Sequence, residues 1–176
     1  MLTREQFLPH EMRIVAALRM QGASDEQVIV RVKSENLFQY PTERMVANRA
    51  TVCLRRLDAM VPTDAVCAAR GIDPKTAAEA ASSLTRLMAS GTPTQADQAI
   101  FYSMICRYDI VRELVLVEVG ERLQNFDYAF TAVDLNAFMT RFTTEYPDAA
   151  RWTEATVKRI KGSLRQTLRH AGLIGE

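Results

Sequence analysis

The run Asp109-Ile110-Val111-Arg112-Glu113-Leu114-Val115-Leu116-Val117-Glu118-Val119-Gly120-Glu121-Arg122-Leu123 decides the fold class. Read as a strand, Leu114-Val115-Leu116-Val117 would form the buried centre of a sheet. Read as a helix, the same run is apolar on all sides and forms a central buried helix. Periodicity alone does not separate the two. The neighbouring segments favour the helix, because almost every one of them carries helix signals, and the chain reads as all-α.

Working outward toward the N-terminus, Pro9 suits a first helical position, ahead of Met12, Val15, Leu18 and Met20. Ser24 with Gln27 fits a reciprocal cap for a second helix, although Val28, Val30 and Val32 also alternate as a strand would. After Asn36 and Pro41, Thr42 caps a long helix with Val46, Ala50, Cys53, Leu57 and Met60 on its inner face. Pro62-Thr63 opens a short helix ending at Gly71. Asp73-Pro74 opens another through Ala77, Ala81, Leu84 and Met88 to Gly91, and Thr94 is expected to cap the next. Toward the C-terminus, Tyr128-Ala129-Phe130 reads as a short extended piece. Asp134 is expected to cap a helix with Leu135, Phe138 and Phe142, and Thr153 a last helix ending at Gly172. The regions read as an N-terminal helix-turn-helix-like part over 1–61, a central bundle over 62–125, and a C-terminal helix-turn-helix-like part over 126–176. They are expected to share one compact unit.

The 176 residues are 48% hydrophobic and 24% charged, the balance of an ordinary globular chain. No apolar run reaches the roughly 18 residues of a membrane span. No basic-then-apolar leader opens the sequence, which predicts a cytoplasmic protein. Cys53, Cys67 and Cys106 are odd in number and widely spaced, which argues against a disulfide framework or a metal site. The net charge of +1 conceals a polarised chain. Residues 109–148 carry three Lys/Arg against eight Asp/Glu, whereas residues 149–176 carry six against two.

The two ends also resemble each other. Tyr40-Pro41 and Thr42-Glu43 precede one long helix, and Tyr146-Pro147 and Thr153-Glu154 precede the other. Thr42 to Leu57 and Thr153 to Leu168 span the same interval. Two packed helix pairs would give the same outline.

The last helix is the most informative. Val157, Ile160, Leu164 and Leu168 repeat at helical spacing and must face a core. Lys158, Lys161, Arg165 and Arg169 repeat that spacing one residue later, about 100° round the helix. Thr153 and Thr156 stand at a helix start that favours phosphate, and Arg151 and Arg159 flank the stripe. Lysine and arginine neutralise phosphates, and arginine also reads guanine. A solvated face, or bases paired with the acidic stretch before them, would account for the same stripe. Arg44, Arg49, Arg55 and Arg56 are more scattered. For them a solvated face is the simpler reading, with a second phosphate patch as the alternative.

Catalysis has little to stand on. His10 and His170 are isolated, no glycine-rich phosphate loop occurs, and Glu118 and Glu121 read as surface groups. Cys53 and Cys106 sit in core patterns. His170 complements the helix dipole, and Trp152 reads as a staple against Val157 or a neighbour. No enzyme activity, cofactor or metal is expected.

Trp152-Thr153-Glu154-Ala155-Thr156-Val157-Lys158-Arg159-Ile160, ending in Leu168 and Ala171-Gly172-Leu173-Ile174, resembles the closing motif of the BrxA family. Glu35-Asn36-Leu37-Phe38-Gln39-Tyr40, Thr42-Glu43-Arg44, Arg55-Arg56-Leu57 and Gly22-Ala23-Ser24-Asp25-Glu26 are similar to that family in matching order. The resemblance implies a small, helical, non-catalytic component of the BREX bacteriophage-exclusion system, binding DNA through helix-turn-helix-like parts. In longer relatives the closing motif is expected to lead into further chain, such as a wing hairpin. Here the sequence stops at Glu176, and no wing is expected.

The expected function is sequence-tolerant binding of double-stranded DNA in phage defence. The expected contacts are Thr153, Thr156, Lys158, Arg159, Lys161, Arg165 and Arg169, with Arg44, Arg49 and Arg55 as a second patch. The expected partners are DNA and other BREX subunits, with no membrane; a homodimer is admitted, though no heptad seam requires one. The alternative is an adaptor that docks other defence subunits through the acidic 109–148 region and an apolar surface. RNA binding by shape is a third reading.

Overall fold

The computed structural model describes residues 6–174, and among these every regular element is helical. Contacts divide the described residues into two units: residues 8–107, and residues 108–174 together with Gln6 and Phe7.

The first unit holds α1 (Pro9–Met20), α2 (Asp25–Ser34), α3 (Glu43–Asp58), α4 (Asp64–Arg70), α5 (Pro74–Ser90) and α6 (Pro93–Arg107). Ser24 and Gln27 form the reciprocal cap of α2. Thr42, Thr63 and Asp73 cap α3, α4 and α5 from their side chains. The valines of α2 settle as a helix, with Val28 and Val32 buried one turn apart and Val30 exposed. The cap of α6 lies two residues earlier than expected. Thr92 accepts the Gln95 N–H, while the Gln95 side chain accepts the Thr92 N–H. That reciprocal pair outcompetes Thr94, which falls inside the helix. Gly91 is required where α5 ends, since a Cβ there would stand 2.5 Å from the Leu87 carbonyl. Its own carbonyl accepts from Arg13 of α1 at 3.1 Å.

α1 packs against α2, α3, α5 and α6, and α3 against α1, α2 and α6. Val46, Ala50, Cys53, Leu54 and Leu57 are all buried, so its apolar face is wide. Arg56 is fully buried as well. The turn before α3 is tied internally by Asn36, whose amide donates to the Tyr40 carbonyl and accepts the Tyr40 N–H. The Tyr40 hydroxyl donates to the buried Glu11 of α1. Burial first, and then that carboxylate, push the phenol up to about 12.

The second unit holds α7 (Asp109–Glu113), a π-helical segment (Leu114–Val119), α8 (Gly120–Gln124), α9 (Ala132–Glu145) and α10 (Glu154–His170). The deciding run is therefore helical, but it is not the buried centre that its composition suggests. Ile110, Val111 and Leu114 are buried, whereas Leu116 is 63% exposed and Val115, Val117 and Val119 are half-buried. Only one face of the run is covered. Residues 128–130 form no regular element. The start of α9 also differs from expectation. Thr131 is its cap, and Asp134 is the third helical residue, returning a bond to the Thr131 N–H at 2.7 Å. Leu135, Phe138, Met139 and Phe142 then face inward, and α9 packs on α10.

Candidate nucleic-acid interface

The chemistry of α10 follows from two adjacent stripes. The Thr153 hydroxyl accepts the Thr156 N–H at 3.2 Å and fixes the helix start. Ile160, Leu164 and Leu168 are wholly buried, which fixes the rotation of the helix. That rotation turns Lys158, Lys161 and Arg165 into a groove of about 490 Å³. Its opposite wall comes from the start of α9 and the segment before it: Phe130, Thr131, Ala132, Leu135 and Asn136. Gly162, Leu168 and Ile174 complete the lining. Across the groove the Lys161 ammonium donates to Asn136 Oδ1 at 2.9 Å, which joins the two helices at that point.

Charge pairing in this unit is local and leaves the groove positive. Glu118 pairs with Arg141 at 2.6 Å, Asp134 with Arg122 at 2.6 Å, and Asp109 with Arg112. Asp127 shares Arg122 with Asp134. Four carboxylates of the acidic stretch, Asp109, Glu118, Asp127 and Asp134, thus pair with its own arginines. Among the described residues no carboxylate pairs with Lys158, Lys161 or Arg165. Asp134 is held below the usual carboxylate range. The Thr131 hydroxyl is the largest cause, then the Thr131 N–H, with Arg122 adding to both. Its charge persists through neutral pH, facing the guanidinium it shares with Asp127.

The expected contacts separate into those the structure brings together and those it does not. Lys158, Lys161 and Arg165 share the groove. Arg159 and Arg169 are exposed on α10 outside its lining, and Arg169 has an interaction of its own. The hydroxyls of Thr153 and Thr156 are hydrogen-bonded to each other at 3.0 Å. Arg44 and Arg55 are exposed on α3 and Arg49 is half-buried; all three belong to the other unit. The helix pattern gave no sign of Phe130, Asn136 or Gly162, because their place depends on how α9 meets α10. Trp152 stacks at 6.0 Å on Phe142 of α9. His170 stacks nearly parallel on Phe7 with ring centroids 4.6 Å apart. Cys106 is only half-buried, unlike Cys53 and Cys67, so its place in an apolar pattern did not make it a core residue.

No described helix is long and apolar enough to cross a membrane. A family model, BrxA, matches residues 1–176, the whole of the sequence. The chain belongs to the BrxA family. BrxA membership makes it a BREX-associated phage defence protein. None of the curated proteins matches it in sequence.

Proposed function

We propose that this BrxA-family chain is a non-catalytic accessory protein of BREX defence that binds double-stranded DNA through the phosphate backbone. The observation that carries the reading is the groove beside α10. Three cations line it without a described carboxylate partner, in a unit where Asp109, Glu118, Asp127 and Asp134 pair with arginines elsewhere. Such a surface attracts a polyanion, and counterion release makes its affinity fall steeply with salt. α9 and α10 form a helix-turn-helix-like frame with α10 as the contacting helix. The connection, residues 146–153, is longer than the three or four residues of a compact helix-turn-helix. Arg159 and Arg169 extend the basic surface along α10, and Arg44, Arg49 and Arg55 supply weaker, separate phosphate contacts. The test is a duplex titration at two salt concentrations with the native chain and a Lys161→Glu/Arg165→Glu variant. The reading requires salt-sensitive binding that the variant loses.

A second reading, an adaptor for other BREX subunits, draws on a different surface. Leu116, Leu123, Phe126, Tyr128 and Val133 are all exposed within one stretch of the second unit. Phe126 is 79% exposed and holds a left-handed φ of 57°, a conformation that a bulky side chain seldom adopts. The Lys161→Glu/Arg165→Glu variant separates the two readings. Under the adaptor reading it leaves assembly with other subunits intact.

A further inference from the structure

A helix that touched only the outside of a duplex would need a basic face and no cavity. Here the basic face is one wall of a groove of about 490 Å³, within the roughly 300–1,000 Å³ range of small-molecule sites. Its two walls differ in chemistry. Lys158, Lys161 and Arg165 offer cations, whereas Phe130 and Leu135 offer an aromatic ring and an aliphatic side chain. Phosphate suits the first wall and a flat base the second.

Gly162 adds an independent observation. It sits inside the 17-residue α10, where glycine costs about 1 kcal/mol relative to alanine. No neighbour demands it, since a Cβ at this position would meet nothing within 4 Å. It is an exposed member of the groove lining, so a side chain there would project into open space beside the cations. At the rim, Asn136 Oδ1 accepts from Lys161, and the amide N–H₂ remains to meet the edge of a base. The nearby Asp134 carboxylate pairs with Arg122 and accepts from the Thr131 hydroxyl.

We propose that the groove between α9 and α10 accepts a single unstacked nucleotide, with its phosphate on the α10 cations and its base against Phe130 and Leu135. This deepens the phosphate-binding reading of α10 and rests on it. The nucleotide is either free or an unpaired unit within DNA, and the two sources share this chemistry.

The test uses the full chain. Calorimetry compares deoxyadenosine monophosphate with inorganic phosphate and with deoxyadenosine. In parallel, a duplex carrying one bulged 2-aminopurine is compared with the blunt duplex. The proposal expects the mononucleotide to bind about tenfold tighter than either half, or the bulged duplex to bind about tenfold tighter than the blunt one with a change in 2-aminopurine fluorescence. The first result alone assigns a free nucleotide, the second alone an unpaired unit in DNA, and both together either source. Gly162→Leu, which adds a bulky side chain to the lining and is a better helix former, should abolish the preference, and Phe130→Ala should reduce it about tenfold. No preference in either arm, or a preference that survives both variants, overturns the proposal. If the blunt duplex fails to bind at low salt, the reading of α10 falls separately from this one.

Discussion

The pairs α2–α3 and α9–α10 are built alike and used differently. Each pair is joined by eight residues, and each second helix is capped by a threonine, Thr42 or Thr153. In both connections a Tyr-Pro dipeptide supplies a phenol bonded to a glutamate of an earlier helix. Tyr40 donates to Glu11 of α1, and Tyr146 is hydrogen-bonded to Glu113 of α7. Aligned on their caps, Val46, Cys53 and Leu57 of α3 match Val157, Leu164 and Leu168 of α10. The adjacent stripe is where they part. Lys161 and Arg165 of α10 stand where α3 has Ala50 and Leu54, both buried. α3 packs against α1 and α6 as well as α2, so a second face must be apolar. α10 leaves that face open to a groove, and it carries charge. One helix frame thus serves as a core element or as an anion-binding element, according to what covers its second stripe.

The largest effect should come from exchanging these stripes. Ala50→Lys with Leu54→Arg would bury two unpaired charges in α3. Urea denaturation should show a loss on the order of 3–5 kcal/mol or more, enough to prevent folding. The reverse exchange, Lys161→Ala with Arg165→Leu, should leave the urea midpoint nearly unchanged and lower duplex affinity at least tenfold. A stable α3 double variant would break the comparison.

Charge reversal within each pair gives the next contrast. Lys161→Glu/Arg165→Glu should remove duplex binding at moderate salt. Arg44→Glu/Arg55→Glu, on the exposed side of α3, should lower it only a few-fold, read by fluorescence polarisation. Equal losses would make α3 an equal partner in binding.

The caps sharpen the likeness. Thr42→Ala and Thr153→Ala should each cost about 1 kcal/mol in urea denaturation. A much smaller loss at Thr153 would mean that its bond to the Thr156 N–H contributes little.

The smallest effect concerns pH. Asp134 has a folded-state value below its unfolded one, so its contribution is complete above the ordinary carboxylate range and fades as pH falls through the lowered value. Stability measured between neutral and strongly acid pH should therefore fall less in Asp134→Asn than in the native chain.

Local chemistry was legible in the sequence, and long-range chemistry was not. Ser24 with Gln27, Thr42, Thr63, Asp73-Pro74 and Thr153 act within one helical turn, and their residue types alone placed the helix starts. The same logic slipped at Thr92 and Thr131. Thr92 pairs reciprocally with Gln95 and Thr131 with Asp134, each three residues on, whereas Thr94 and Asp134 also carry cap-forming side chains by residue type. The run Leu114–Val117 shows the limit of composition, because an apolar stretch records no count of the helices that will cover it. Leu116 stays exposed, and Val115 and Val117 are half-buried. The basic stripe of α10 could be read from spacing, but the groove could not. It exists because Phe130 and Asn136 arrive opposite Lys161, about 25 to 31 positions away in the chain. Arg56 is a further case, with a charged residue fully buried where a scattered, solvated arginine was the simpler expectation.

The central claim is that the open stripe of α10 binds DNA phosphates. The most direct measurement is a fluorescence-polarisation titration of a random-sequence duplex at two salt concentrations, with the native chain and the Lys161→Glu/Arg165→Glu variant. The account predicts tight binding at low salt that weakens steeply at the higher salt and disappears in the variant. No binding at low salt, or binding indifferent to salt and to the variant, would contradict it.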